Sequence, residues 1–222
     1  MDKKGEDYYH YDSKKGEFIL LEQNNKNYDS IVKAKYNKDT QQYEMVFKKN
    51  GNPKVRLTNI EKGILADGMN IKYNANVIDI GEGRVSLAGF EDFIVNFSDK
   101  ILGKEIAGIY YGEIGSGEVQ YAHIGAVQNN TFEKSHSVPN IYTVRPSLYN
   151  RVQPLARWHT HSSIKPWEIR NHPSSEDLDT KKENPALHTN NESILHYGGK
   201  NNLLICSFFS LFFPYSLRTS IL

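Results

Sequence analysis

The apolar residues of this chain keep a helical period over one stretch and a strand-like pattern over several others. Phe90, Phe93, Ile94, Phe97, Ile101 and Leu102 recur at helical spacing. That spacing predicts an amphipathic helix over residues 90–102, with Gly103 as its stop. Ahead of it, residues 1–58 are polar, Lys-rich and Tyr-rich, with turn signals at Asn24-Asn25, Asn37-Lys38-Asp39 and Asn50-Gly51-Asn52-Pro53. The pieces between these signals, 17–21, 31–36 and 43–48, predict short strands joined as hairpins. Residues 54–65 keep no single period. Gly68 and Asn74-Ala75-Asn76 mark a loop before an apolar strand at 77–80.

After the helix, residues 106–112 predict an apolar strand. Gly115-Ser116-Gly117 turns the chain, and 118–127 predicts the returning strand. A polar loop at 128–139 leads into a mixed segment, 141–152, and then a further strand at 155–162. Ser174, Ser175, Glu176 and Asp177 after Pro173 form a helix N-terminus signature. The chain from about Leu203 is strand-like again. We place a boundary near residue 84, separating a hairpin-rich region (1–84) from a second unit (85–222). The element order of the second unit defines an α/β or α+β class.

Composition narrows the possible partners. Across 222 residues the formal net charge is +1, with 24% charged and 38% hydrophobic residues, an ordinary soluble balance. It gives no electrostatic reason to expect nucleic acid or a membrane surface as partner. The apolar run from Leu203 to Leu217 is shorter than a membrane span and contains Pro214, so it reads as buried strand. The same tail, with no acidic residue after Glu192, also reads as an altered chain end. The opening residues lack the apolar stretch of a secretory signal. The expected location is therefore the cytoplasm, or outside the cell by a route that needs no signal peptide. A single cysteine, Cys206, excludes an internal disulfide and a Cys-rich zinc site. Any metal must be held by His and carboxylates.

Three pieces of the chain carry such groups. The first is Trp158-His159-Thr160-His161: on a strand, alternate residues share a face, so His159 and His161 converge on one point. The second is Pro173-Ser174-Ser175-Glu176-Asp177, where Asp177 lies in the first turn of the expected helix. A catalytic zinc commonly takes three protein ligands and one exchangeable position, and Asp177 is a reasonable third. Glu176 and Asp179 stand close by with the same donor atoms. Taken alone, Asp177 also suits the helix dipole, and Ser174 suits the N-cap. The third piece is Glu105-x-x-Gly108-x-x-x-Gly112, at the entrance to a strand whose glycines allow close backbone approach. His10, His123, His136, His188 and His196 are scattered without ligand spacing.

The three pieces together, a Glu strand, then His159-Thr160-His161, then Ser174-x-x-Asp177, resemble the JAMM (JAB/MPN+) metalloprotease family over about residues 85–200. The helix at 90–102 also sits where that family places one before its Glu strand. The wording around these motifs, with the opening Gly5-Glu6-Asp7-Tyr8-Tyr9-His10-Tyr11-Asp12, is similar to JAB-like toxin domains of bacterial polymorphic toxins and the segments that join them to delivery proteins. The segment between His161 and Ser174 is longer than in many members. It contains His172, an alternative ligand, and Trp167, either a substrate contact or a packing anchor.

The resemblance implies a JAB/MPN-like mixed sheet flanked by helices, preceded by the β-rich region 1–84. It implies Zn2+ held by His159, His161 and Asp177, Glu105 handling the proton, and Ser174 stabilising the oxyanion. The reaction would be hydrolysis of a peptide or isopeptide bond in a protein or peptide substrate, with a neutralising immunity protein as a further partner. Two other classes compete. One is a catalytically inactive MPN-like binding scaffold. The other is a metal-dependent nuclease, disfavoured because only Arg151, Arg157, Lys165 and Arg170 supply positive charge around the histidine pair.

Overall fold

The computed structural model describes residues 7–23, 27–125, 127 and 140–161, together with the backbone of 203–208. The class is α+β. Strands β1 (Asp7–Asp12), β2 (Glu17–Gln23), β3 (Tyr28–Val32) and β6 (Val55–Glu61) form a mixed sheet in the order β2-β1-β3-β6. Within it β1 runs parallel to β3 and antiparallel to β2. Strands β4 (Ala34–Asn37) and β5 (Gln42–Met45) form a hairpin of their own. The second sheet contains β7 (Asn76–Asp79), β8 (Ala107–Glu113), β9 (Tyr121–Ile124), β10 (Val152–His161) and β11 (Leu203–Phe208). Its order is β11-β10-β8-β9-β7, and every described pairing in it is antiparallel.

Helix α1 (Leu87–Phe97) lies between the two sheets. It starts earlier than its apolar period implied, because Ser86 caps it: the Ser86 hydroxyl accepts from Gly89 N at 3.0 Å. Glu61 of β6 in turn accepts hydrogen bonds from Ser86 N and from the Ser86 hydroxyl. The first sheet therefore fixes where the helix begins. One flank of α1 meets that sheet, with Phe93 and Phe97 against Phe18 and Tyr11; the Tyr11 and Phe97 rings meet edge-on at 5.0 Å. The other flank meets the second sheet, where Phe90 lies 5.5 Å from the Trp158 ring and 6.1 Å from Tyr110. Residues on both sides of position 84 thus share one core. Burying a side chain of this size contributes about 1.5–3 kcal/mol, so the three helix phenylalanines are a large part of what joins the sheets.

The opposite face of the second sheet carries a smaller apolar cluster. Tyr111 and Val152 pack there with Ile141 of α2 (Ile141–Val144) and with Leu148, in the 3-10 turn that follows. This cluster lies towards the Val152–Glu113 end of the β8–β10 pairing, away from His159 and Ala107.

Several expected boundaries change. The single strand expected at 31–36 is two, broken at Lys33, whose backbone bonds instead to Lys54 and Val46. Of the expected strand 118–127, Tyr121–Ile124 forms β9. Residues 7–12 form β1 at the interior of the first sheet. Residues 141–152 break into α2, the 3-10 turn and the start of β10. The helix expected after Pro173 and the loop at 128–139 lie outside the described residues. No helix among the described residues is long and apolar enough to cross a membrane.

Candidate metal centre

Burial alternates along the end of β10. Trp158 and Thr160 are buried on the α1 side, whereas Arg157 is exposed and His159 is half-buried on the other face. Trp158 can pack closely against β8 because residue 108 is glycine: a Cβ there would stand 2.1 Å from Trp158 Cζ2. This is the close approach that a strand glycine allows.

The β8–β10 register brings two of the three sequence pieces together. His159 is paired with Ala107, and Thr160 N donates to Ile106 O at 2.9 Å. Glu105 stands two residues before Ala107, on the chain that enters β8 at the His159 end of the pairing. The β10 backbone stays extended through His161, which pairs with Leu203 of β11 on its other side. Glu105 is half-buried, at the mouth of β8.

The approach to Glu105 is held from the end of α1. The helix passes into a π-type turn over Ser98–Leu102 rather than continuing as α-helix, and Gly103 closes it in the left-handed region (φ 62°). Ser98 is fully buried, and its carbonyl accepts from Gly103 N at 2.8 Å and Lys104 N at 3.3 Å. Its hydroxyl donates to Lys104 O at 2.6 Å and accepts from the Thr160 hydroxyl at 2.6 Å. Thr160 Oγ1 also accepts from Ile106 N at 3.0 Å. Neither hydroxyl stands out in the sequence as a functional group. The available signals are a hydroxyl residue between two histidines, and a serine directly after the apolar stripe of a helix.

His159 supplies one half-buried imidazole near the end of β10, a donor type that suits zinc, and Glu105 lies on the chain that leads into the neighbouring strand β8. Among the described residues no group of three or more His, Cys, Asp and Glu stands together as a complete metal site. Ser174, Asp177 and the alternatives Glu176, Asp179 and His172 lie outside the described residues, as do Trp167 and the side chain of His161.

His123 stands apart from this arrangement. It is fully buried on β9 beside Tyr111, with ring centroids 6.1 Å apart. Neither ring nitrogen has a hydrogen-bond partner among the described residues. Burial pushes its pKa down to about 4, so it is a neutral packing residue at neutral pH. His10 lies in the first sheet, its ring 4.8 Å from that of Tyr43.

Comparison with known proteins finds no matching family model, no matching curated protein and no matching solved structure.

Proposed function

We propose that this chain is a zinc-dependent peptidase or isopeptidase of the JAMM type. In this reading the second sheet and α1 form a JAB/MPN-like unit. The chain acts as a toxin or effector domain of a bacterial polymorphic toxin system, with a protein or peptide substrate and an immunity protein that blocks it. The observation that supports this best is the pairing of His159 with Ala107, which sets the Glu105 end of β8 beside the histidine end of β10. Three motifs far apart in sequence led to the expectation, and two of them are neighbours in the fold.

His159, His161 and Asp177 hold the metal. Zinc, when bound, supplies a Lewis acid that polarises the scissile carbonyl and acidifies water. Glu105 is not a ligand: it accepts the proton of the attacking water and delivers it to the leaving nitrogen. The carbon–oxygen bond forms, the carbon–nitrogen bond breaks, and the proton ends on the amine. Ser174 donates a hydrogen bond to the oxygen that gains charge in the tetrahedral transition state. The net charge of +1 suits this substrate class better than a polyphosphate.

The test is hydrolysis of a panel of peptide and isopeptide substrates by the full chain, with and without a chelator. Cleavage that the chelator and Glu105→Gln both abolish supports the reading. A zinc-loaded protein that binds proteins but cleaves none of the panel favours the MPN-like scaffold instead.

A further inference from the structure

We propose that Thr160 and Ser98 are positioning residues for Glu105, a role that rests on the peptidase reading above. One relay of hydrogen bonds grips the chain on both sides of that carboxylate. On one side, Ile106 N–H donates to Thr160 Oγ1 at 3.0 Å. The Thr160 hydroxyl donates to Ser98 Oγ at 2.6 Å, and the Ser98 hydroxyl donates to Lys104 O at 2.6 Å on the other side. Every proton in the relay points the same way, so each bond polarises the next. Ser98, Thr160 and Ile106 are all buried, and water does not compete for these groups.

The two hydroxyls belong to the elements that must be brought into register. Thr160 sits between His159 and His161 on β10, and its main-chain N donates to Ile106 O. Ser98 sits at the start of the π-type turn that delivers the chain to Glu105. Apolar packing at these positions would hold the elements together but leave the turn free to slide by fractions of an ångström. Directional bonds to Lys104 O and Ile106 N remove that freedom at the two peptide units flanking Glu105. Misplacement of a catalytic group by 1 Å can lower a rate about 100-fold, so such a clamp matters to turnover more than to binding.

The experiment compares the full-length wild type, Thr160→Val and Thr160→Ser. Valine removes the hydroxyl and keeps the branched shape, whereas serine keeps the hydroxyl. Three quantities are read: zinc per chain, amide hydrogen exchange at Ile106, and kcat with KM. The expected result for Thr160→Val is faster exchange at Ile106, unchanged zinc, unchanged KM and a kcat lower by about 10- to 100-fold. Thr160→Ser restores both exchange and kcat. If Thr160→Val does not fold, Ser98→Ala releases Lys104 O while leaving the Thr160–Ile106 bond, and the same kcat loss with zinc retained is expected. A wild-type kcat in the hydroxyl-deleting variant, loss of zinc in step with kcat, or no rescue by serine overturns the positioning role. A wild type without zinc or activity overturns the peptidase reading first. A zinc-loaded, active wild type with an indifferent Thr160→Val overturns this inference alone.

Discussion

His159 of β10 is the antiparallel partner of Ala107 of β8, and Glu105 stands two residues before Ala107 on the same run of chain. A metal-ligand candidate on one strand and a base candidate just ahead of the neighbouring strand thus lie at the same end of the β8–β10 pair. If Glu105 handles protons and does not bind metal, Glu105→Gln leaves zinc content unchanged and lowers kcat by roughly 100- to 10,000-fold. Elemental analysis beside a turnover assay checks this. Loss of zinc in the glutamine variant would make Glu105 a ligand and overturn the assignment.

The joint between the two sheets is expected to depend on Phe97. Its ring is fully buried against Tyr11, Phe18 and Phe93. Phe97→Ala removes the ring and leaves a cavity, which costs roughly 3–5 kcal/mol. Urea unfolding followed by tyrosine and tryptophan fluorescence measures it. A cost below about 1 kcal/mol would mean that α1 does not join the sheets as described, since exposed positions fall in that range.

Gly108 is expected to tolerate no side chain. An added Cβ would lie 2.1 Å from Trp158 Cζ2 and 2.2 Å from the His123 carbonyl oxygen. The indole can shift only by disturbing Phe90 and Tyr110, and the backbone oxygen can shift only by parting β8 from β9. Gly108→Ala should therefore cost about 1–3 kcal/mol as overpacking. The same unfolding assay reads it, and an unchanged midpoint would contradict the close approach.

His123 sets a pH dependence of stability. Its folded pKa, about 4, lies below the unfolded value near 6.5 because burial disfavours the cation. Between those values the unfolded chain binds more protons. The contribution of His123 is thus fully present above about pH 6.5 and is lost as pH falls towards 4, on the order of 3 kcal/mol in all. Unfolding free energies at pH 7 and pH 4.5, for wild type and His123→Phe, isolate the effect. The variant should lose less stability on acidification than the wild type, and equal losses would show that the ring is not desolvated.

Helix α1 was legible because its buried residues recur with regular spacing. Phe90, Phe93, Ile94 and Phe97 keep the helical period because both flanks of α1 are buried. The stop at Gly103 holds, but Ile101 and Leu102 continue the apolar spacing through a π-type turn, where hydrogen bonding rather than period decides the geometry. The first sheet was harder to read. Asp7, Asp12 and Asp29 are buried strand residues, so alternation breaks down there. Distant segments supply partners to each: Lys62 to Asp7 and Asp29, and the Tyr43 hydroxyl to Asp12, which also accepts from the nearby Lys14 and Lys15 backbone. The parallel pairing of β1 with β3 is likewise long-range and leaves no local signal. At the candidate centre, His159 and Glu105 could be singled out by motif. Ser98 and Thr160 could not, because their role is set by a contact across 62 positions.

Metal content of the purified full chain tests the central claim most directly, with wild type measured beside His159→Ala and Asp177→Ala. The account expects close to one zinc per wild-type chain and loss of zinc in both variants. A wild type that takes up no zinc when it is supplied, or an Asp177→Ala variant that retains zinc in full, would contradict it.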